Sequence, residues 1–335
     1  MSVYIIAEIG PNHNGSLLMA LDMIGQLAQV GVDAIKFQLA VPENVYSKDA
    51  FKADYQATND GPGNAIEMSR RIQLSFADHE KLYAACKAAG VAYMCTAFDL
   101  ESLEFIDATF EMPYFKIASG ELLSADMLSF MAQRRRPVLL STGMATFAEV
   151  GWALGVLSED GLADITLLHC VSNYPAPHGD INLRVMDELS RRFDRPVGYS
   201  DHSLGPECCL AAVAMGAVVI EKHVTLDRDL PGPDHKASAT IDDFRALVRS
   251  IRTIESALGA PDKIFSQAEN GIRRMARKSA VALRDLKAGH ILAFEDICFK
   301  RPGTGISPRD LPNFIGKTLR CGIDADRVIS DEDLI

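Results

Sequence analysis

Short apolar, β-branched runs alternate with longer amphipathic stretches from residue 4 to about residue 259. The strand candidates are 4–10, 34–39, 91–98, 114–119, 137–143, 165–171, 197–202 and 217–225. Between them the periodicity predicts helices, among them 17–30, 75–89, 125–134, 147–157, 183–193 and 207–215. A last helix over 241–258 sets Phe244, Leu247, Val248, Ile251 and Ile254 on one face. Eight strands, each followed by a helix, predict an α/β fold of the (β/α)8 TIM-barrel type, which takes roughly 250 residues. A doubly wound open sheet is the rival. It usually needs fewer units, and no GxGxxG follows the first strand.

Two regions depart from the alternation. The stretch 41–72 is a long polar excursion after the second strand, with the breaker cluster Asn59-Asp60-Gly61-Pro62-Gly63. On that side of a barrel, long excursions often serve as lids or substrate loops. The second departure is the tail. Residues 260–278 read as a linker, and 279–335 shows short strand patterns at 279–283, 297–301 and 318–323, broken by Gly and Pro. A β-rich domain of that size has little core of its own and is expected to dock on something. The expected division is therefore 1–259, 260–278 and 279–335.

Composition narrows the class. Hydrophobic residues are 48% and charged residues 24% of the 335, so a sizeable core needs no disulfide or structural zinc. The formal net charge is −11, which argues against a nucleic-acid or anionic-membrane partner while leaving room for a local basic pocket. No apolar run approaches the roughly 18 residues that span a bilayer. The start Met1-Ser2-Val3-Tyr4 lacks a charged leader region and enters a strand directly. The seven cysteines form no CxxC pair and read as buried free thiols of a cytoplasmic protein.

Chemistry in such a barrel sits at the C-terminal ends of the strands, so polar residues there carry the information. Strand one ends in Ala7-Glu8-Ile9-Gly10, and strand two carries Lys36 and Gln38. Strand three ends at Thr96, and strand four carries Lys116 before Ser119-Gly120-Glu121. Strand five ends in Ser141-Thr142-Gly143, and strand six holds His169, followed by Ser172, Asn173 and Tyr174. Strand seven ends in Ser200-Asp201-His202, and strand eight carries Glu221-Lys222-His223.

A lysine in a strand commonly snorkels to the surface. Lys36 and Lys116 each have apolar neighbours on both sides. Pointing inward, they form a cationic site with hydroxyls beside it, suited to a phosphate and a carboxylate. Gly120 and Gly143 would add loop N–H groups to the same anion. A lone histidine at a strand end is commonly structural. His202 and His223, on consecutive strands, can meet, and neutral imidazoles suit a divalent cation such as Mn²⁺ in an open site. Glu8 reads either as a buried partner for a lysine or as a proton acceptor or hydroxyl ligand. Gly316-Lys317-Thr318 has the end of a P-loop, but Leu311 stands where its first glycine belongs.

The ordered motifs Glu8-Ile9-Gly10-x-Asn12-His13-x-Gly15, Lys36-x-Gln38, Phe115-Lys116-Ile117-Ala118-Ser119-Gly120-Glu121, Leu140-Ser141-Thr142-Gly143-Met144, Tyr174-Pro175-x-Pro177, Gly198-x-Ser200-Asp201-His202, Glu221-x-His223 and Pro231-Gly232-Pro233-Asp234 run through the chain. With them the chain resembles the sialic acid synthases, which join phosphoenolpyruvate to an N-acetylated mannose-type sugar. In the tail, Lys300-Arg301-Pro302-Gly303-x-Gly305 resembles their antifreeze-like (SAF) domain.

The resemblance implies that Lys36, Thr96, Lys116, Ser119, Ser172 and Ser200 bind phosphoenolpyruvate. It implies that His202 and His223 hold the divalent metal, Mn²⁺ foremost, with Mg²⁺ or Co²⁺ as alternatives. Glu8, Gln38, Tyr174, Asp234 and Arg301 would face the sugar, with Arg301 reaching over from the partner subunit of a swapped homodimer. Glu8, Lys36 and Lys116 are the implied catalytic set. Two departures stand out: Ala97 where a proline often follows the threonine, and Ser172 where some members carry Asn. The expected product is N-acetylneuraminate from N-acetylmannosamine. The alternatives are legionaminic or pseudaminic acid from a diacetamido-trideoxy hexose, and, in a different class, a non-catalytic carbohydrate-binding protein.

Overall fold

The computed structural model describes residues 2–61 and 63–335; Met1 of the N-terminal pattern and Pro62 of the breaker cluster lie outside the described residues. The chain divides into two compact units, one ending at Gly259 and one spanning Ala260–Ile335.

In the first unit the order is β1 (Tyr4–Glu8), α1 (Leu17–Ala28), β2 (Ala34–Leu39), then three short helices, α2 (Pro42–Val45), α3 (Asp54–Asp60) and α4 (Ala65–Ile72). There follow α5 (Phe76–Ala89), β3 (Ala92–Ala97), α6 (Leu100–Thr109), β4 (Phe115–Ile117), α7 (Ala125–Arg134), β5 (Val138–Ser141) and α8 (Phe147–Ser158). The series ends with β6 (Ile165–His169), α9 (His178–Ile181), α10 (Val185–Phe193), β7 (Val197–Asp201), α11 (Glu207–Ala214), β8 (Val219–Thr225), β9 (Ala239–Thr240) and α12 (Ile241–Leu258). Neighbouring strands from β1 to β8 pair in parallel, and β1 also pairs with β8, which closes the barrel. The expected (β/α)8 fold is therefore present.

Side chains alternate across each strand. Ile5, Ala7, Ile35, Phe37 and Leu39 face outward into the core shared with the helices. The predicted face of α12 is buried at Phe244, Leu247, Val248 and Ile251. Each such side chain, fully buried, contributes about 1.5–3 kcal/mol. Ile6, Ala34, Met94, Leu139, Leu168 and Val219 form a separate apolar cluster inside the barrel.

Local signals set the helix starts. The side chains of Ser16, Ser75 and Asp99 accept the N–H groups of Met19, Asp78 and Ser102, and Thr146 and Thr240 form capping boxes with Glu149 and Asp243. The cap at Asp99 opens α6, which lies in the stretch where periodicity singled out no helix.

Several strands end sooner than predicted: Phe98, Gly143, Val171 and His202 fall in loops past the ladder, while Gly10 and Ser119 open short 3-10 turns, Gly10–His13 and Ser119–Glu121. Burial continues there, at Ile9 to His13 and at Thr142–Gly143, so the apolar pattern outlasts the hydrogen bonding. The excursion 41–72, read as loop, carries the three helices α2 to α4. An Asn64–Glu67 capping box starts the last of them.

In the second unit, the stretch read as a linker contains α13 (Gln267–Ala276), opened by a Ser266–Glu269 capping box. β10 (Ser279–Ala282) and β11 (Ile297–Lys300) pair antiparallel. The expected strand at 318–323 is absent as a strand. The chain there meets its partners at single bridges, Ile291 to Thr318, Leu319 to Leu334 and Leu286 to Ile323. Leu286, Leu292, Ile306, Leu311, Leu319, Ile329 and Leu334 form the unit's own core. Asp296, the residue just before β11, is buried; although burial disfavours its charge, His290, Arg284 and the Ala293 N–H hold its pKa at about 2. Among the cysteines, Cys86, Cys95, Cys170 and Cys209 are buried thiols, while Cys321 is exposed, unlike the expectation for the set. Among the described residues, no helix is long and apolar enough to cross a membrane.

Candidate active site

One residue pair further along the strands than the apolar inner cluster, the barrel interior turns polar. Glu8, Lys36, Lys116 and Glu221 are 0%, 3%, 3% and 4% exposed, so four ionisable groups are packed together out of water. Lys36 pairs with Glu8 and donates to Thr96 Oγ1 at 3.0 Å. Its Nζ lies 3.7 Å from Glu221, and Lys116 Nζ lies 3.7 Å from the other oxygen of the same carboxylate. β2 and β4 are not neighbours of β8, so both contacts cross the barrel interior. Lys116 donates to Ser141 Oγ at 2.8 Å, and Ser200 Oγ donates to Glu221 at 3.1 Å. The lysines therefore point inward.

Charge balance follows from these contacts. Burial opposes the charge on Lys36, but Glu221 and Glu8 outweigh it and raise its pKa. Burial wins at Lys116, whose pKa is lowered despite Glu221. Burial raises the Glu8 carboxyl against the pull of Lys36, whereas the two lysines hold Glu221 below its usual range in spite of its burial. Glu221 is thus the fixed anion that keeps two ammonium groups side by side. An anion bound there would give Lys116 the negative partner that offsets its burial.

Above this layer sits a cavity of about 300 Å³, lined by Lys36, Gln38, Thr96, Lys116, Ser119, Gly120, Ser141, Ser172, Tyr174, Ser200, His202, Glu221 and His223. Ser119 and Ser172 share a hydrogen bond at 2.7 Å, so Ser172, the departure noted in the sequence, does turn into the cavity. Gly143 does not present its N–H to the cavity: that group donates to Cys170 Sγ at 3.1 Å. What Gly143 provides is room, since a Cβ there would collide with Ser172 Oγ.

The two histidines meet at the rim, ring centroids 5.6 Å apart. His202 Nδ1 donates to the Val171 carbonyl at 2.7 Å, which leaves Nε2 as the acceptor, here of the Tyr174 hydroxyl at 3.0 Å. Burial drives the His202 pKa down to about 4 and that of His223 well below its usual value, so both rings are neutral. His223 Nδ1 is buried without a hydrogen-bond partner, 3.8 Å from Asp234 Oδ2, and Asp234 Oδ1 is likewise unpartnered. Two neutral imidazoles with an unused nitrogen and a buried carboxylate beside them fit a divalent cation with open positions. Among the described residues, no three His, Cys, Asp or Glu side chains gather as a closed metal cage.

Gln38 donates to Glu8 at 3.0 Å. Burial, followed by the charge of Glu8, raises the Asp234 pKa to about 7. Glu8, Gln38, Tyr174 and Asp234 thus gather around the histidine rim. Arg301 belongs to the second unit, immediately after β11.

The alternate residues of the same strands face away. Asp201 and Lys222 form a buried pair at 2.6 Å, with Cys209 donating to Asp201 at 3.1 Å, between the barrel and α11. His169 Nε2 donates to the Ile181 carbonyl at 2.6 Å and stands outside the cavity, as does Asn173. The sequence pattern gives no role to Glu221, Ser141 or Tyr55, which all line the cavity. Glu221 and Ser141 carry the signal used for the lysines, a polar residue at an inward position. Tyr55 lies in the excursion, where no periodicity points to the barrel mouth.

Comparison with known proteins agrees with this geometry. Residues 23–263 match the NeuB family, and residues 277–335 match the SAF domain. The chain is 40% identical over 330 residues to the N,N'-diacetyllegionaminic acid synthase of Legionella pneumophila, covering 97% of this chain and 92% of that protein. It is 32% identical over 331 residues to the human N-acetylneuraminate-9-phosphate synthase, covering 98% and 92% respectively. Among solved structures, the N-acetylneuraminic acid synthetase of Leptospira borgpetersenii superposes with a TM-score of 0.73 at 31% identity, over 81% of this chain and 90% of that one.

Proposed function

The chain belongs to the NeuB family and is a synthase with a C-terminal SAF domain, and we propose that it condenses phosphoenolpyruvate with a diacetamido-trideoxy hexose to give a legionaminic-type nonulosonic acid and phosphate. The observation that carries the reaction class is the pair of buried lysines held by Glu221 beneath the neutral histidine rim. The motifs alone put N-acetylmannosamine first. The greater identity to the legionaminic acid synthase than to the human enzyme supports the diacetamido sugar instead.

In this reading Lys36 and Lys116 bind the phosphate and carboxylate of phosphoenolpyruvate, with the hydroxyls of Thr96, Ser119, Ser172 and Ser200 as donors. Glu8, Gln38, Tyr174 and Asp234 hold the hydroxyl and acylamino groups of the open-chain sugar, whose aldehyde faces C3 of phosphoenolpyruvate. His202 and His223 would hold Mn²⁺, which polarises a carbonyl when bound. The new bond joins C3 to the aldehyde carbon. Water adds at C2, and the bond from C2 to the phosphate oxygen breaks. Glu8, whose carboxyl is raised by burial, gives its proton to the former aldehyde oxygen, and the water that adds at C2 releases one in turn. Arg301 completes the sugar site from the partner subunit of a homodimer.

The test is phosphate release with each sugar, followed by product mass. The diacetamido-trideoxy hexose is expected to give the greater kcat/KM and a nine-carbon acid. Greater turnover of N-acetylmannosamine would return the assignment to a sialic acid synthase. Release with neither sugar would overturn the reading.

A further inference from the structure

The excursion 41–72 is absorbed by neither the anion cradle nor the histidine rim, yet it lines the cavity with Ala53 and with one aromatic ring. Tyr55, in α3, lines it and stacks on Tyr174, with ring centroids 5.2 Å apart and planes 28° apart. Tyr174 in turn lies tilted over His202 at 4.1 Å and edge-on to His223 at 5.5 Å. The Tyr55 ring therefore extends a continuous aromatic surface from the histidine rim to the outer wall.

The backbone that carries Tyr55 is fixed from several directions. Asn59 donates to the carbonyl of Pro233 at 2.9 Å, next to Asp234. Lys52 and Asp60, both with side chains at 5% exposure or less, pair at 2.6 Å, and Arg71 binds the other oxygen of Asp60. Lys52 also donates to the Gly61 carbonyl at 3.0 Å. A polar surface loop needs no buried ion pair. One that must hold a ring in place over a cavity is served by it.

The chemistry of that wall is selective. The cavity's other apolar lining near the mouth comes from Ala53, Phe98 and Met144, while its charged groups lie on the strands. A flat aromatic face offers little to a hydroxyl and packs well against a methyl group. A diacetamido-trideoxy hexose differs from N-acetylmannosamine in this way: a second acetamido group replaces one hydroxyl, and a methyl replaces a hydroxymethyl.

We propose that Tyr55 is a specificity-determining residue, whose ring, stacked on Tyr174, forms the wall that takes the second acetamido and methyl groups of the sugar. The inference rests on the sugar reading above, and its experiment separates the two. Steady-state kinetics are measured with both sugars for the wild type, Tyr55→Ala, Tyr55→Leu and Tyr55→Phe, together with a thermal melt and the KM for phosphoenolpyruvate. One apolar contact in a pocket discriminates by about 10- to 200-fold. Tyr55→Ala is expected to raise the KM for the diacetamido sugar so that its kcat/KM falls about tenfold or more. N-acetylmannosamine and phosphoenolpyruvate should change by less than about threefold, which is under the smallest such contact effect. Tyr55→Phe keeps the face and is expected to stay near wild type, with Tyr55→Leu between. If the alanine variant melts early, the leucine variant carries the same test. Equal losses with both sugars, or a fall in kcat alone, would overturn the role of Tyr55 and leave the sugar reading standing. A wild type that turns over neither sugar would overturn both.

Discussion

The barrel interior has two layers made by the same strands. The lower one holds Ile6, Ala34, Met94, Leu139, Leu168 and Val219. Two positions further along the same six strands stand Glu8, Lys36, Thr96, Ser141, Cys170 and Glu221. The step is about 6.6 Å, two residues of strand rise. Alternation decides that both sets face inward. It does not decide their chemistry, and here that changes completely within one step. The apolar layer is a dry floor under the charged one, so the lysines and glutamates meet in a medium where each pairing matters far more than at a surface.

The largest expected effect tests the top of the charged region. Chelation should abolish turnover and Mn²⁺ should restore it, because the two neutral imidazoles leave a metal shell incomplete without substrate and water. His202→Ala should stay folded and lose the response to added metal, read both by activity and by the Mn²⁺-induced shift in melting temperature. Full activity after exhaustive chelation would remove metal from the account.

The contrast between layers predicts opposite phenotypes. Leu168→Ala in the floor should cost about 2–5 kcal/mol of stability, as for other large-to-small core changes. Its KM for phosphoenolpyruvate should remain close to wild type. Lys36→Met, one layer up, should lose most of its kcat/KM at saturating metal. A floor variant that loses phosphoenolpyruvate affinity as severely as the lysine variant would erase the distinction.

This contrast also marks what was legible in the sequence. Lys36 between Ile35 and Phe37, and Lys116 between Phe115 and Ile117, announced an inward charge because their neighbours could only face the helices. The same logic separates Glu221 and His223, which face in, from Lys222, which pairs with Asp201 outside. Contacts across the barrel were not legible: alternation gives a face, not the 3.7 Å meetings of Glu221 with two lysines from non-adjacent strands. Nor was Tyr55, since α3 is short and held by Asn59 and the Lys52–Asp60 pair rather than by an apolar stripe. In the tail, the capping residues Ser266 and Glu269 were a readable helix signal inside a stretch that composition alone made look like a linker.

A subunit-mixing experiment asks whether the sugar site above the charged layer is completed from another chain. Arg301→Ala and His202→Ala, each nearly inactive alone, are refolded together. If Arg301 acts across a two-fold axis, about half the dimers are mixed and each has one intact site, so recovery approaches about a quarter of wild-type activity. Mixed dimers confirmed by mass with no recovery would place Arg301 elsewhere. A smaller effect is expected from Gly143→Ala. Its new Cβ would displace Ser172, and the KM for phosphoenolpyruvate should rise severalfold, about what one neutral hydrogen bond is worth. An unchanged KM would remove Ser172 from the anion site.

The most direct test of the central claim, that the buried lysines form the phosphoenolpyruvate cradle, is a calorimetric titration of phosphoenolpyruvate into wild type and Lys116→Met. The substitution keeps most of the unbranched side chain and removes its charge. Truncating one partner of a buried charged contact costs about 2–5 kcal/mol, so Kd should rise by about 30-fold to several thousandfold. A folded Lys116→Met protein that binds phosphoenolpyruvate with the wild-type Kd would contradict the account.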